Sequence, residues 1–490
     1  MNENHIDFTS LFYPKTMAVI GASPNPIGAV KYVKAHLNSG IQVFPVNSNP
    51  KYTELEGLPV YRSVVEIKPE IDLAIIGVPK EIVPSVIDDF QRKVVKFAVI
   101  FTSGFKESGR DDLDKAILSK IKSVKTRFIG PNCLGIYHPK GRLTYFPSFP
   151  AGPELAGNVS FISQSGGHTA KTNYYLFSRG VRFAKTISIG NSIDLEPHDF
   201  LPYFKEDPDT AVIAYYLEST RQGRMFMERV REVTPIKPVV IWKGGQGSVG
   251  FKATASHTGE LAGNFKIWHA MAQQTGAIMA DDFDVMVDLL TMFSYKLQLP
   301  RSNRIGIVAC GGGNAVETAD IFEAGGFSIP ELQASTKAEI GKYIPNINSA
   351  FTNPVDLGEY GYVPNYFANA LDAVSRDPRV DAVIYIKESS RFPAFSSNFK
   401  MSPDVYEAEM VKLIAAVNEK NKKEGRNIPL YLNDPFFAED IESFRWRVSF
   451  RDKLGAKGIP VFTRVDVLMK AIKKAQEYQK FLDDIKSGKK

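Results

Sequence analysis

Cysteine is scarce. The 490 residues hold two, Cys133 and Cys310. Two cysteines cannot build a disulfide framework, and neither stands at ligand spacing with histidines, so no metal set is expected. A reducing, cytoplasmic setting follows. No run of ~18 uninterrupted apolar residues occurs, which argues against a membrane-spanning helix. The first residues, Met1 to Asp7, lack a basic region followed by an apolar stretch, so no signal peptide is expected. Charge of one sign is not in large excess. The formal net charge is +6, spread without a basic run. That disfavours nucleic acid as a partner and leaves small anionic ligands open. Histidine is also sparse, at 7 residues. What remains is an ordinary soluble composition, 44% hydrophobic and 23% charged, long enough for about three domains.

Short β-branched runs alternate with amphipathic stretches. Met17–Ile20, Val43–Val46, Leu73–Ile76, Ala98–Phe101 and Phe128–Ile129 read as buried strands with helical patterns between most of them. Such alternation implies parallel sheets with crossover helices. A proline-rich stretch without helical periodicity, Tyr145–Pro153, marks a first boundary. The alternation restarts at Val159–Ile162, Ala184–Ile189, Ala211–Leu217 and Val239–Trp242. It breaks at Leu299–Asn303, then resumes at Gly306–Ala309, Ala382–Ile386, Leu430–Leu432 and Pro460–Phe462. The expected fold class is α/β, with three consecutive Rossmann-like or flavodoxin-like parallel-sheet domains over 1–148, 149–300 and 301–490. A faint echo at Gly57–Tyr61, Gly276–Met279 and Gly458–Phe462 fits a short edge strand in each, or chance.

The first strand runs into Gly21-Ala22-Ser23-Pro24-Asn25-Pro26-Ile27-Gly28. Gly21 permits a tight turn, and a following helix start offers N–H groups to an anion. The spacing is not that of the dinucleotide fingerprint. After the second strand, Val46-Asn47-Ser48-Asn49-Pro50-Lys51 lacks the carboxylate that NAD requires, and Lys51 suits a phosphate. The residues leave a 3′-phosphorylated adenosine, as in coenzyme A, or NADP. Gly77-Val78-Pro79, Thr102-Ser103-Gly104-Phe105 and Gly130-Pro131-Asn132-Cys133-Leu134-Gly135 are further strand ends on the same crevice. Cys133 reads as a small core residue more readily than as a reactive thiol.

Two more glycine turns lie between a strand and a helix, Ser163-Gln164-Ser165-Gly166-Gly167-His168 and Ala309-Cys310-Gly311-Gly312-Gly313-Asn314. Each exposes N–H groups at the positive end of a helix dipole, worth about 0.3–1 kcal/mol to an anion. His257 sits among small residues in Ala253–Gly263, after the loop Gly244–Gly250 and the apolar run Pro238–Trp242. An imidazole so placed is reachable and mobile; the alternative is a surface histidine without a role. Glu218 ends the run Ala211–Leu217. It is expected on the ligand side, able to accept a hydrogen bond from one ring nitrogen of His257 and leave the other as nucleophile, or else as a solvated rim carboxylate.

Taken together these residues resemble the α subunit of the nucleoside-diphosphate-forming acyl-CoA synthetases, the family of ADP-forming acetate–CoA ligase and, more distantly, succinyl-CoA synthetase. Ser256-His257-Thr258-Gly259 with Leu261-Ala262-Gly263 is similar to the family's phosphohistidine motif. Ser163-Gln164-Ser165-Gly166, Gly130-Pro131-Asn132 with Gly135, and Asn353-Pro354-Val355-Asp356-Leu357 match further motifs. The resemblance implies that His257 carries a phosphoryl group and that Glu218 orients it. Ser165, Gly166, Gly167 and Gly311, Gly312, Gly313 would hold the phosphate. Coenzyme A would meet Gly21, Ser23, Pro24, Ile27, Asn47, Lys51, Val78, Pro79, Ser103, Gly104 and Asn132. The implied reaction interconverts acyl-CoA, ADP and phosphate with a carboxylic acid, ATP and coenzyme A through an acyl phosphate.

The chain leaves no room for the ~200 residues of an ATP-grasp module beside three domains of ordinary size. ATP or ADP and Mg2+ are therefore expected on a separate ATP-grasp β subunit, in an α2β2 heterotetramer. Gly167-His168-Thr169 and Ser219-Thr220 depart from the family pattern near the acid pocket. A non-catalytic coenzyme A-binding regulator and an NADP-dependent oxidoreductase are the competing readings.

Overall fold

Runs of valine, isoleucine and aromatic residues form strands close to where their patterning places them. The structure is a computed structural model that describes residues 6–250, 265–345, 349–426, 428–435 and 440–488. In the first part of the chain the strands are β1 (Thr16–Ile20), β2 (Gln42–Val46), a small hairpin of β3 (Glu54–Leu55) and β4 (Leu58–Pro59), β5 (Ile71–Ile76), β6 (Val95–Ile100) and β7 (Arg127–Ile129). The main sheet runs β2-β1-β5-β6-β7, all parallel. Every residue of β5 is buried, as a central strand covered by helices on both faces requires.

Next come β8 (Gly135–Tyr137), β9 (Val159–Ser163), β10 (Phe183–Ser188), β11 (Val212–Leu217), β12 (Val239–Lys243) and β13 (Ile278–Ala280). They form a second sheet in the order β13-β12-β11-β9-β10-β8, with only β8 antiparallel. The sequence pattern gave no sign of β8. The chain enters the second sheet directly after Gly135, ahead of the proline-rich segment. That segment packs back on β8, with the Phe149 ring 4.8 Å from Tyr137.

The third sheet, β15-β14-β16-β17-β18, comprises β14 (Ile305–Ala309), β15 (Val355–Asp356), β16 (Ala382–Ile386), β17 (Leu430–Asn433) and β18 (Val461–Phe462). Numbered within each sheet, the parallel strands of all three follow the flavodoxin-like order 2-1-3-4-5. The internal echo falls at a sheet edge each time. Tyr61 bridges to Val46 at the end of edge strand β2, while β13 and β18 are edge strands themselves.

The chain divides into two compact units, residues 1–177 with 181–281 and residues 178–180 with 282–490. The expected break at Leu299–Asn303 lies later than this division. The helix Phe283–Ser294 is buried along most of its length and packs on the helix Val465–Lys486, with Phe293 and Tyr478 rings 5.8 Å apart. An apolar helix of this kind joins whichever core covers it.

Within the first unit a buried ion pair fixes the second sheet's edge. Lys185 on β10 donates to Asp207 at 2.7 Å, both side chains being almost fully enclosed. Burial pushes the Asp207 carboxyl up, but the Lys185 ammonium and Thr210 hydroxyl outweigh it and hold it below the usual range. Lys185→Met strands that carboxylate, with an expected loss of about 3–5 kcal/mol in denaturant unfolding. In the native protein the pair's contribution is present above the ordinary aspartate pKa and is lost as pH falls through the depressed value.

Candidate functional site

A 2-1-3-4-5 sheet opens a crevice where its first and third strands send their connections to opposite faces. In the first sheet those are β1 and β5, which end at Gly21 and Gly77. Gly21 has φ +87°, and a Cβ there would lie 2.5 Å from the Gly77 carbonyl oxygen. A Cβ at Gly77 would lie 2.7 Å from that of Ala29. Two glycines back to back let the backbones close and leave the crevice floor open. The helix begins only at Val30. The intervening loop is braced by its own Asn25, which accepts from the Gly28 and Ile27 N–H groups.

From this crevice a cavity of about 650 Å3 extends to the second sheet. Gly77, Pro79 and Lys80 line it from the end of β5, Thr102 and Ser103 from the end of β6, and Asn132, Cys133 and Leu134 from beyond β7. On the other side it meets Gln164, Ser165, Gly166 and Gly167. Such a volume falls within the range of small-molecule and cofactor sites. Of the expected residues, Pro79, Ser103, Asn132, Ser165, Gly166 and Gly167 come together here. Asn132 takes φ +61°, tolerable for asparagine, and its N–H donates to the Thr102 carbonyl at 2.9 Å.

The other expected contacts form the rim or lie behind it. Pro24, Ile27 and Lys51 are exposed. Asn47 is turned inward, donating to the Ala22 carbonyl at 2.7 Å and so tying the two loops together. The backbone of the Lys51 turn is gathered by Arg62, whose guanidinium donates to the carbonyls of Asn49 and Tyr52 at 2.6 and 3.0 Å. Gly104 does not offer a free N–H. It donates to Glu107 at 2.6 Å, whose other oxygen accepts from Asn191. Lys80, Arg62 and Glu107 escaped the sequence reading, and Gln164 entered it only as part of a motif, without a role. Lys80 directly follows the Val78-Pro79 strand end, which was a usable signal. The others act through partners far off in sequence.

In the second sheet the crevice lies between β9 and β11, where the Ser163–Gly167 turn faces Glu218. The Ser165 Oγ accepts from the His168 N–H at 3.2 Å and caps the helix Gly166–Ser178. No hydrogen bond is made by the Gly166 or Gly167 N–H among the described residues. Gln164 bridges the crevice: its Oε1 accepts from the Glu218 N–H at 2.6 Å and the Ser219 N–H at 3.1 Å. The Glu218 side chain, 7% exposed, accepts from the Tyr216 hydroxyl at 3.2 Å. A Cβ at Gly244 would lie 2.7 Å from that hydroxyl and 3.3 Å from Glu218 Cγ, so the loop after β12 must start with glycine. Burial lowers Lys243 to about 8, with the Glu218 charge acting in the opposite direction. His168 packs against Tyr216 and Trp242, with ring centroids 4.4 and 4.7 Å away. His257 and its expected bond to Glu218 lie outside the described residues.

Glycine turn three belongs to the second unit. Gly311 has φ +128°, which no other residue adopts easily. Its N–H is not available to a phosphate, because it donates to Asp356 at 3.1 Å. The same Asp356 oxygen accepts from Gly358 at 2.9 Å. The helix Gly312–Ala324 then brings Asn314 to Glu388, donating at 2.8 Å. Both cysteines are buried. Burial pushes the Cys133 thiol up to about 12 and raises Cys310 as well, which supports the core reading of Cys133.

Residues 15–139 match a family model described as a CoA binding domain, and residues 156–293 match one described as a succinyl-CoA ligase like flavodoxin domain. The α subunit of acetate–CoA ligase [ADP-forming] II from Pyrococcus furiosus is 35% identical over 83% of this chain and 87% of its own. The chain belongs to the α-subunit family of the ADP-forming acetate–CoA ligases. A structure of the dinucleotide forming acetyl-coenzyme A synthetase 1 of Ca. Korarchaeum cryptofilum, in complex with phosphate and ADP, superimposes with TM-score 0.79. The two are 30% identical, over 98% of this chain and 99% of that one. Acetate–CoA ligase [ADP-forming] I of Archaeoglobus fulgidus is 35% identical over 77% of this chain but is longer, and the match covers 54% of it. The match of residues 15–139 to a CoA binding domain favours coenzyme A over NADP, the two alternatives that the missing carboxylate after β2 leaves open.

Two substitutions probe this geometry. Gly21→Ala drives a methyl into the Gly77 carbonyl at a left-handed φ, with an expected cost of about 1–2 kcal/mol from the backbone alone. Thermal unfolding should show it, together with weakened coenzyme A binding by calorimetry. Gln164→Ala leaves two N–H groups unpaired at the second crevice, about 1–3 kcal/mol each where water cannot reach. Its midpoint in thermal unfolding should drop accordingly.

Proposed function

We propose that the chain is the catalytic α subunit of an ADP-forming acyl–CoA ligase acting on a small carboxylic acid or its acyl-CoA. The observation that carries this reading is a continuous cavity reaching from the first sheet's crevice to the start of the helix Gly166–Ser178, where Gln164 accepts from the Glu218 N–H. Coenzyme A lies along it, and its thiol approaches Gly166. Asn132, Ser103, Pro79 and Lys80 flank the ligand, and Gly21, Ser23, Pro24, Ile27, Asn47, Lys51, Val78 and Gly104 shape or edge the crevice. His257 carries the phosphoryl group and Glu218 fixes its ring through one nitrogen. The N–H groups of Gly166 and Gly167 balance the phosphoryl charge, with Ser165 setting that turn; in the second unit, Gly311 sets a turn whose Gly312 and Gly313 N–H groups are a further phosphate-binding element. The functional division follows the three sheets, approximately 1–148, 149–300 and 301–490.

The carboxylate oxygen of the acid attacks phosphohistidine, the phosphorus–nitrogen bond breaks, and an acyl phosphate forms. The thiol sulfur then attacks the acyl carbon, and phosphate leaves as the thioester forms. The partner is an ATP-grasp β subunit holding ATP or ADP and Mg2+, in an α2β2 assembly. The Pyrococcus relative's name as a subunit and the greater length of the Archaeoglobus relative support a partner. Two buried, free thiols suit a reducing cytoplasm.

The chain co-purified with such a partner and given ATP labelled at the γ-phosphate should take up an acid-labile label. His257→Ala should take up none, and Glu218→Gln should label more slowly by roughly two orders of magnitude, the scale of a lost positioned carboxylate. A labelled His257→Ala protein ends the assignment of that residue. Coenzyme A binding with no label under any condition selects the regulatory reading instead.

A further inference from the structure

Lys31 is a half-buried cation whose neighbours are aromatic. Its Nζ stands 4.0 Å from the Phe101 ring centroid and 5.2 Å from those of Tyr32 and Phe146. Among the described residues it makes no ion pair and no hydrogen bond. Ring faces compensate only partly for the water a buried ammonium gives up. Burial accordingly lowers Lys31 to about 8, and the group acting on it in the other direction is the Cys133 thiol.

Its position relative to the cavity is the second observation. Phe101 and Cys133 both line the cavity. The neighbouring Tyr32 hydroxyl donates to the Leu134 carbonyl at 2.8 Å, and a Cβ on Gly166 would lie 3.4 Å from Leu134 Cγ. Lys31 itself is not one of the lining residues; its ammonium stands against Phe101 and acts electrostatically on Cys133, two residues of the cavity wall. Phosphates are gripped by converging N–H groups and water-exposed cations. A cation sunk among three ring faces offers a single charge in an apolar wall, which suits an anion whose charge sits on one soft atom, such as a thiolate sulfur.

We propose that Lys31 is the counter-ion of the coenzyme A thiolate, holding the sulfur charged beside the acyl phosphate until it attacks. This rests on the reading that the cavity binds coenzyme A. The thiol proton passes to solvent. The sulfur–carbon bond then forms, the carbon–oxygen bond to phosphate breaks, and inorganic phosphate departs with its electron pair.

The test is ultraviolet thiolate absorbance on adding one equivalent of coenzyme A to the full chain at neutral pH. Cys133 stays protonated there and is silent. Native protein and Lys31→Arg should show the band, and Lys31→Met should lose about tenfold of it, as the thiol returns to its ordinary pKa. In the complex with its partner, Lys31→Met should still take the histidine label. It should also still give acyl hydroxamate with hydroxylamine and no coenzyme A, while thioester formation slows by about tenfold. A native protein without the band overturns the proposal. So does a Lys31→Met protein with native thioester rates, or one that loses hydroxamate formation too. A native complex that shows the thiolate band but no phosphoryl label would end the ligase reading and leave Lys31 in place.

Discussion

The geometry rests on one carboxylate between two sheets. Asp194, in the loop after β10, accepts from the Arg127 guanidinium at 3.0 Å and from the Phe128 N–H at 2.8 Å, both on β7. Leu195 donates to the Phe128 carbonyl beside it, and Ile193 to that of Gly130. These bonds hold the last strand of the first sheet against the second. The chain can then cross from Asn132 through Leu134 into β8 with a fixed path. Without them the cavity would have two walls and no defined distance between them. A ligand long enough to reach from one crevice to the other requires that distance to be set beforehand.

Each crevice is then tuned by a different polar device. In the first sheet, glycines at both strand ends remove side chains so that backbones can close. At the second, Gln164 joins the ends of β9 and β11 and presents Glu218 from a buried base. Asp356 does related work in the third sheet by gripping the Gly311 and Gly358 N–H groups. The repeated 2-1-3-4-5 order makes the same opening three times, and the polar residues around it give each its character.

Much of this was legible in the sequence because it is local. A β-branched run, a glycine and a helical pattern occupy consecutive residues, so the turns at Gly21, Gly166 and Gly311 could be read directly. The short motif around His257 is local in the same way. Residues acting across long separations left no such trace. Nothing near Asp194 signals Arg127, and nothing near Lys31 signals Phe146. The strand β8 is three residues long and alternates too briefly to register. The division into two units falls at residue 281, ahead of the expected break at Leu299–Asn303, for a related reason. The helix Phe283–Ser294 is apolar on nearly all sides, and such a helix does not say which core it joins.

Both cysteines are enclosed and held as neutral thiols, far from the ionisation that would make either one a nucleophile. A protein read as handling an activated acyl group within reach of Cys133 runs a risk of modifying itself. Enclosure removes that competitor. On that reading the thiol of a bound coenzyme A would meet the acyl group without competition from Cys133, a protection that packing supplies.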